Sequence, residues 1–162
     1  MTEPTLETEF LVDFKADLKP PVVTGAGPLG QRMIFDVTGG WFEGPKLKGE
    51  VLPSGGDWLR VRSDGVMELD VRATLKTHDG AIIYLSYTGV LKLPPPTYFR
   101  TTPRFYTGDE RYTWLNDIVC VAIGNPEHLK VGQRPGRLPR LPRPVAAITP
   151  RGLICFICSI CG

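Results

Sequence analysis

Apolar and polar residues alternate with a period of two along most of the chain, and no stretch repeats its apolar positions at helical spacing. Cut by Gly, Pro and Asp clusters, the alternation predicts strands over residues 6–17, 29–38, 41–51, 57–62, 66–77, 81–91, 97–106 and 111–123. Eight short strands at that spacing predict an all-β sandwich or barrel.

Two turns allow the register to be worked out. Ser63-Asp64-Gly65 and His78-Asp79-Gly80 both end in Asp-Gly, which suits either a two-residue hairpin loop or a three-residue loop with a left-handed glycine. A two-residue loop would set Arg62 against Met67 and Arg60 against Leu69, mixing charged and apolar side chains on one face. A three-residue loop instead sets Arg62 against Val66, Arg60 against Glu68 and Trp58 against Asp70, and at the second turn Thr74 against Tyr84 and Arg72 against Ser86. Charges then pair, and Leu59, Val61, Met67, Leu69, Val71, Ala81, Ile83, Leu85 and Tyr87 share the opposite face. The three-residue loops are therefore predicted.

The meander so built has one apolar face and one bearing Trp58, Arg60, Arg62, Glu68, Asp70, Arg72, Thr74, Tyr84 and Ser86. Antiparallel sheets commonly leave one face in water. Aromatics among paired charges also suit the wall of a polar cavity, and a barrel of about eight strands holds one small ligand. The alternation leaves both readings open. Asp57 and Asp64 read as a strand-start and a turn residue.

Composition narrows the function. The 162 residues include 18 Gly and 16 Pro, which favours turns over helices. Of 19 Lys and Arg, five (Arg134, Arg137, Arg140, Arg143 and Arg151) follow residue 132, whereas all 17 Asp and Glu precede it, leaving a body of 14 basic against 17 acidic residues. Such a body gives no support to a nucleic-acid partner, despite the arginines among the aromatics of residues 98–116. The acidic N-terminal stretch lacks the pattern of a secretory signal, and the longest apolar run, near the C-terminus, is about half a membrane span. Three of the four cysteines sit in that run, so no disulfide framework runs through the body. A cytoplasmic location is expected.

Several motifs are discounted. TGAGPLG (residues 24–30) contains GxGxxG, but the residues after Pro28 read as a strand, not the helix that a dinucleotide site requires. Cys155, Cys158 and Cys161 lack a fourth ligand nearby, and His78 and His128 lie far apart, so no metal site is expected. Cys120 reads as a buried strand cysteine, and no GxSxG motif occurs.

In order and spacing, GPLGQR, GGWFEGPKLKGEVLPSGGDW, RVRSDG, ELDVRATLKTHDGAIIY, YFRTTPRF and YTWLN resemble the DUF3237 family, also called UPF0311, over about residues 6–124. The resemblance implies a small closed or nearly closed antiparallel up-and-down β-barrel of calycin type. It also implies links, in some fungal members, to aromatic polyketide tailoring, including closure of a phenol oxygen onto an alkene to form a dihydrofuran ring. The family's DW falls on Asp57 and Trp58, its LDAR-like stretch on Leu69 to Arg72 with Val71 in place of the small residue, and its Y-x-WLN on Tyr112 to Asn116. Where members continue into one more strand, this chain runs into an Arg/Pro-rich and Cys-rich end. Residues 1–132 are therefore assigned to the barrel and 133–162 to a non-homologous, poorly ordered extension that leaves a sheet edge open.

The resulting expectation is a cofactor-free enzyme that cyclises or isomerises a small aromatic metabolite, with no membrane partner and with self-association left open. Asp70 takes the role of base, Tyr84 that of acid and Arg72 that of the partner of Asp70. Trp58, Arg62, Arg100, Tyr112, Trp114 and Asn116 are the candidate binding residues, with Arg62 or Arg100 stabilising an oxyanion. Two alternatives are a carrier that binds without chemistry and a family member made defective by its altered C-terminus.

Overall fold

A computed structural model describes residues 8–93 and 97–125, together with the backbone of residues 154–159. Nine strands follow in chain order: β1 (Glu9–Leu18), β2 (Val22–Gly27), β3 (Gly30–Glu43), β4 (Lys48–Val61), β5 (Met67–Thr77), β6 (Ile82–Lys92), β7 (Tyr98–Tyr106), β8 (Val119–Ile123) and β9 (Ile154–Ser159). A 3-10 helix, Glu110–Asp117, separates β7 from β8. All the pairings are antiparallel, in the order β1-β9-β8-β7-β6-β5-β4-β3-β2, and β1 also pairs with β3.

That extra pairing closes the barrel. β1 lies along the second half of β3 (Asp13↔Glu43 to Leu18↔Val37) and β2 along the first half (Val22↔Ile34 to Gly27↔Gly30). They form one long strand interrupted at Pro20-Pro21, which have no N–H to give a ladder. Counted so, the barrel has eight staves. β9 pairs with both β1 and β8 and fills the place where an open edge was expected. The boundary at residue 132 and the arginine-rich stretch after it lie outside the described residues.

Both hairpins adopt the predicted three-residue loops. Arg62 N–H donates to the Val66 carbonyl and Thr77 N–H to that of Ala81, while Gly65 and Gly80 have φ of 80° and 91°, a region that costs glycine nothing. The ladders contain Arg60↔Glu68, Thr74↔Tyr84 and Arg72↔Ser86. TGAGPLG is a hairpin turning at Pro28-Leu29, not a phosphate loop.

Two predicted breaks are bends instead. The stretches 29–38, 41–51 and 57–62 form two long strands rather than three. The ladder between β3 and β4 is interrupted between Asp36↔Gly56 and Trp41↔Glu50, so Gly39-Gly40 and Pro53-Ser54-Gly55 curve the wall without ending it. The predicted strand 111–123 is mostly the 3-10 helix, because Asp109 caps it by accepting from the Arg111 N–H.

The apolar face fills the barrel. Val12 and Phe14 from β1 meet Phe35, Val71, Ile83, Leu85, Leu91, Phe99 and Phe105, all buried, and Phe14 packs edge-on against Tyr87 with ring centroids 6.5 Å apart. Each such side chain stabilises the fold by roughly 1.5–3 kcal/mol relative to exposure. Cys120 is buried as expected, but it is disulfide-bonded rather than a free thiol. No helix among the described residues is long and apolar enough to cross a membrane.

Candidate functional site

The charged face is the outer wall of the barrel. Asp70, Arg72 and Trp58 do come together there: Arg72 Nη1 lies 3.2 Å from Asp70 Oδ1, and its guanidinium sits 5.2 Å from the Trp58 ring centroid. Arg62 pairs with Asp64 at 2.6 Å and with Glu68 at 3.6 Å beside the turn. Arg60 is held on Glu68 through Nε and Nη2. Tyr84 does not join them. The residue opposite Asp70 is Thr88, and Tyr84 lies four positions further along β6, about 13 Å away at strand rise, paired across β7 with Tyr106. Arg100 folds over Tyr98 at 5.1 Å and donates to the Phe99 carbonyl.

Tyr112, Trp114 and Asn116 lie at the other end of the barrel, where the 3-10 helix covers the interior with the fully buried Leu115. Tyr112 donates to both oxygens of Asp79 (3.1 and 3.0 Å), which also accepts from Thr77 and pairs with Arg111 at 3.0 Å. Those bonds hold the Asp79 carboxyl below its usual range. Asn116 copies a strand, accepting from Thr107 N–H and donating to the Thr107 carbonyl. These residues fasten a plug.

The opposite end has no such plug among the described residues. Met33, Val61 and Met67 are half-buried at that end, in rows that also hold the buried Leu91 and Phe99, and thioether chains rearrange readily. Below them lies the row Leu59, Leu69, Gly89 and Thr101, in which Thr101 fills the space that a side chain at Gly89 would take. The next row down, Phe35–Asp57–Val71–Tyr87–Pro103, holds two titratable side chains that the sequence did not single out, Asp57 and Tyr87.

Asp57 is 6% exposed, its Oδ1 accepts from the Asp70 backbone N–H at 3.1 Å, and its pKa is pushed up to about 6. Burial is the main cause; the Asp70 hydrogen bond works against it, and the Asp70 charge adds to it. Tyr87 is buried, and desolvation, with Asp57 second, holds its phenol well above the usual range. Thr101, one row up on β7, has a buried hydroxyl with no hydrogen-bond partner among the described residues. A carboxylate that ionises near neutrality, a phenol that stays protonated and an unused hydroxyl thus share one apolar interior. The signal for Asp57 was its parity: it alternates with Leu59 and Val61, so it points inward.

Comparison with known proteins gives a consistent picture. A family model described as "Protein of unknown function (DUF3237)" matches residues 4–98 and 94–131. A UPF0311 protein of Bradyrhizobium diazoefficiens is 34% identical over 134 residues, covering 74% of this chain and 88% of the relative. The crystal structure of a conserved protein of unknown function from Rhodopseudomonas palustris aligns with a TM-score of 0.76 at 26% identity, covering 98% of this chain and all of the other. An enzyme from Penicillium herquei shares the fold, with a TM-score of 0.65 at 24% identity over 76% of this chain and 88% of the other.

Proposed function

Since the chain belongs to the DUF3237 (UPF0311) family, β-barrel proteins of unknown function, we propose that it is a cofactor-independent enzyme that cyclises or isomerises a small aromatic metabolite inside its barrel. The observation that carries this reading is Asp57: a carboxylate buried in an apolar interior, with a pKa of about 6, in the same inward-facing row as a protonated tyrosine two strands away. A buried charge is costly to a fold, and carboxylates tuned towards neutral pH are characteristic of general bases.

The proposed reaction balances with protons alone. Asp57 takes the proton of a phenol, and the phenolate oxygen bonds to one carbon of an activated alkene as its π bond breaks. Tyr87 protonates the other carbon; after product leaves, exchange with solvent returns a proton to Tyr87 and takes one from Asp57, so the cycle closes with no net proton change. Asp57 and Tyr87 stand in one row on either side of the buried Val71, their Cα atoms about 10 Å apart, two strand spacings, so a substrate reaches both only where the interior side chains around Val71 give way. Thr101 is available to hydrogen-bond the substrate. The existence of an enzyme on this fold in Penicillium herquei supports the catalytic reading at the level of architecture only.

Asp70, half-exposed and ion-paired, is less suited to be the base, because water and Arg72 already stabilise its charge. The test is turnover of an ortho-prenylated phenol bearing a conjugated ketone, followed by chromatography for the dihydrofuran. Wild type is expected to form it, Asp57→Asn to lose at least 100-fold and Tyr87→Phe at least 10-fold. Binding without product in the wild type would identify a carrier instead, and an active Asp57→Asn would remove Asp57 from the base role.

A further inference from the structure

We propose that the outer wall carries a second ligand site, on the face of the sheet opposite Asp57 and Tyr87, that binds an aromatic carboxylate. One cross-strand row runs over five strands as Arg32↔Arg60↔Glu68↔Val90↔Arg100, and a groove of about 620 Å³ follows it, with Asp70 and Tyr98 also in its lining. That volume suits a small molecule.

Within the groove the charges are unevenly used. Glu68 is held by Arg60 and Arg62, and Asp70 by Arg72. Arg32 and Arg100, at the two ends, have no ion-pair partner among the described residues: each spends one N–H on a backbone carbonyl, of Trp58 at 2.8 Å and of Phe99 at 2.9 Å, and keeps its remaining donors. The groove is thus locally positive on a body with more acidic than basic residues. Between the ends the wall is apolar at Val90, which is 38% exposed, and aromatic at Tyr98. A guanidinium in a rigid fork beside an apolar patch and an aromatic ring fits a planar aromatic acid, its ring over Val90 and its carboxylate on Arg100.

The probe is 2-naphthoate, titrated by calorimetry against the full chain. The expected result is saturable binding at one site per chain, weakened at least 10-fold in Arg100→Ala, weakened to a lesser degree in Arg100→Lys, and at least 10-fold weaker for the neutral 2-naphthamide. Tyr98→Ala, at a half-exposed position, is expected to weaken binding with the melting temperature unchanged. Asp57→Asn is expected to bind naphthoate as wild type does while losing turnover, so failure of either site is read separately. Absence of binding, equal affinity for the amide, or full affinity in a folded Arg100→Ala overturns the proposal.

Discussion

The Oδ1 of Asp57 accepts the backbone N–H of Asp70 at 3.1 Å, so the buried carboxylate and the outer one sit on the two sides of a single stretch of barrel wall. The donor is the main chain, so the bond does not depend on the side chain at position 70 as long as the residue there keeps its N–H. What the Asp70 side chain adds is its negative charge, which pushes the pKa of Asp57 upward.

The first prediction concerns that charge. Asp70→Asn removes it and leaves the N–H in place, so Asp57 becomes easier to ionise. The midpoint on the acid side of the pH–rate profile is expected to move to lower pH, with the rate above pH 7 within a few-fold of wild type. A loss of 100-fold or more at all pH values would instead return the base role to Asp70.

Stability carries the same signature. The folded pKa of Asp57, about 6, lies above the unfolded value near 4, so the native state holds its proton more tightly. This contribution to stability is fully present below about pH 4 and is lost as pH rises through about 6. Ionisation costs the fold roughly 3 kcal/mol by pH 8. In Asp57→Asn, which keeps an acceptor for the Asp70 N–H, that decline is expected to be absent. Denaturant titrations of both proteins at pH 4.5 and pH 8 measure it, and equal slopes of stability against pH would argue against a shifted Asp57.

Tyr112 provides a contrast between fastening and catalysis. Tyr112→Phe removes the donor to Asp79 at the plugged end, and a melting temperature lower by about 3 °C is expected, with turnover unchanged. A Tyr112→Phe protein that melts like wild type but has lost turnover would place Tyr112 in the site after all.

Much of the wall was legible in the chain. The pairings Arg60↔Glu68, Thr74↔Tyr84 and Arg72↔Ser86 follow from two Asp-Gly turns and the rule that a one-residue slip flips every side chain. The bends were less legible: Gly39-Gly40 and Ser54-Gly55 punctuate a sequence in the same way whether the chain reverses or only kinks, and the difference lies in the neighbouring strands. The 3-10 helix at Glu110–Asp117 was hidden because Tyr112, Trp114 and Asn116 alternate as a strand would.

Alternation by itself determined that two faces exist and which residues share each, because the pleat sends successive side chains to opposite sides. It could not decide what closes over either face. That came from β3, whose two halves hold β1 and β2 and bend the sheet into a ring, so that the apolar face turned inward and took Asp57 and Tyr87 with it. The outward turn of Trp58, Asp70 and Arg72 is the other side of the same closure. Burial is a property of the closed barrel, and burial is what gives Asp57 its unusual proton affinity.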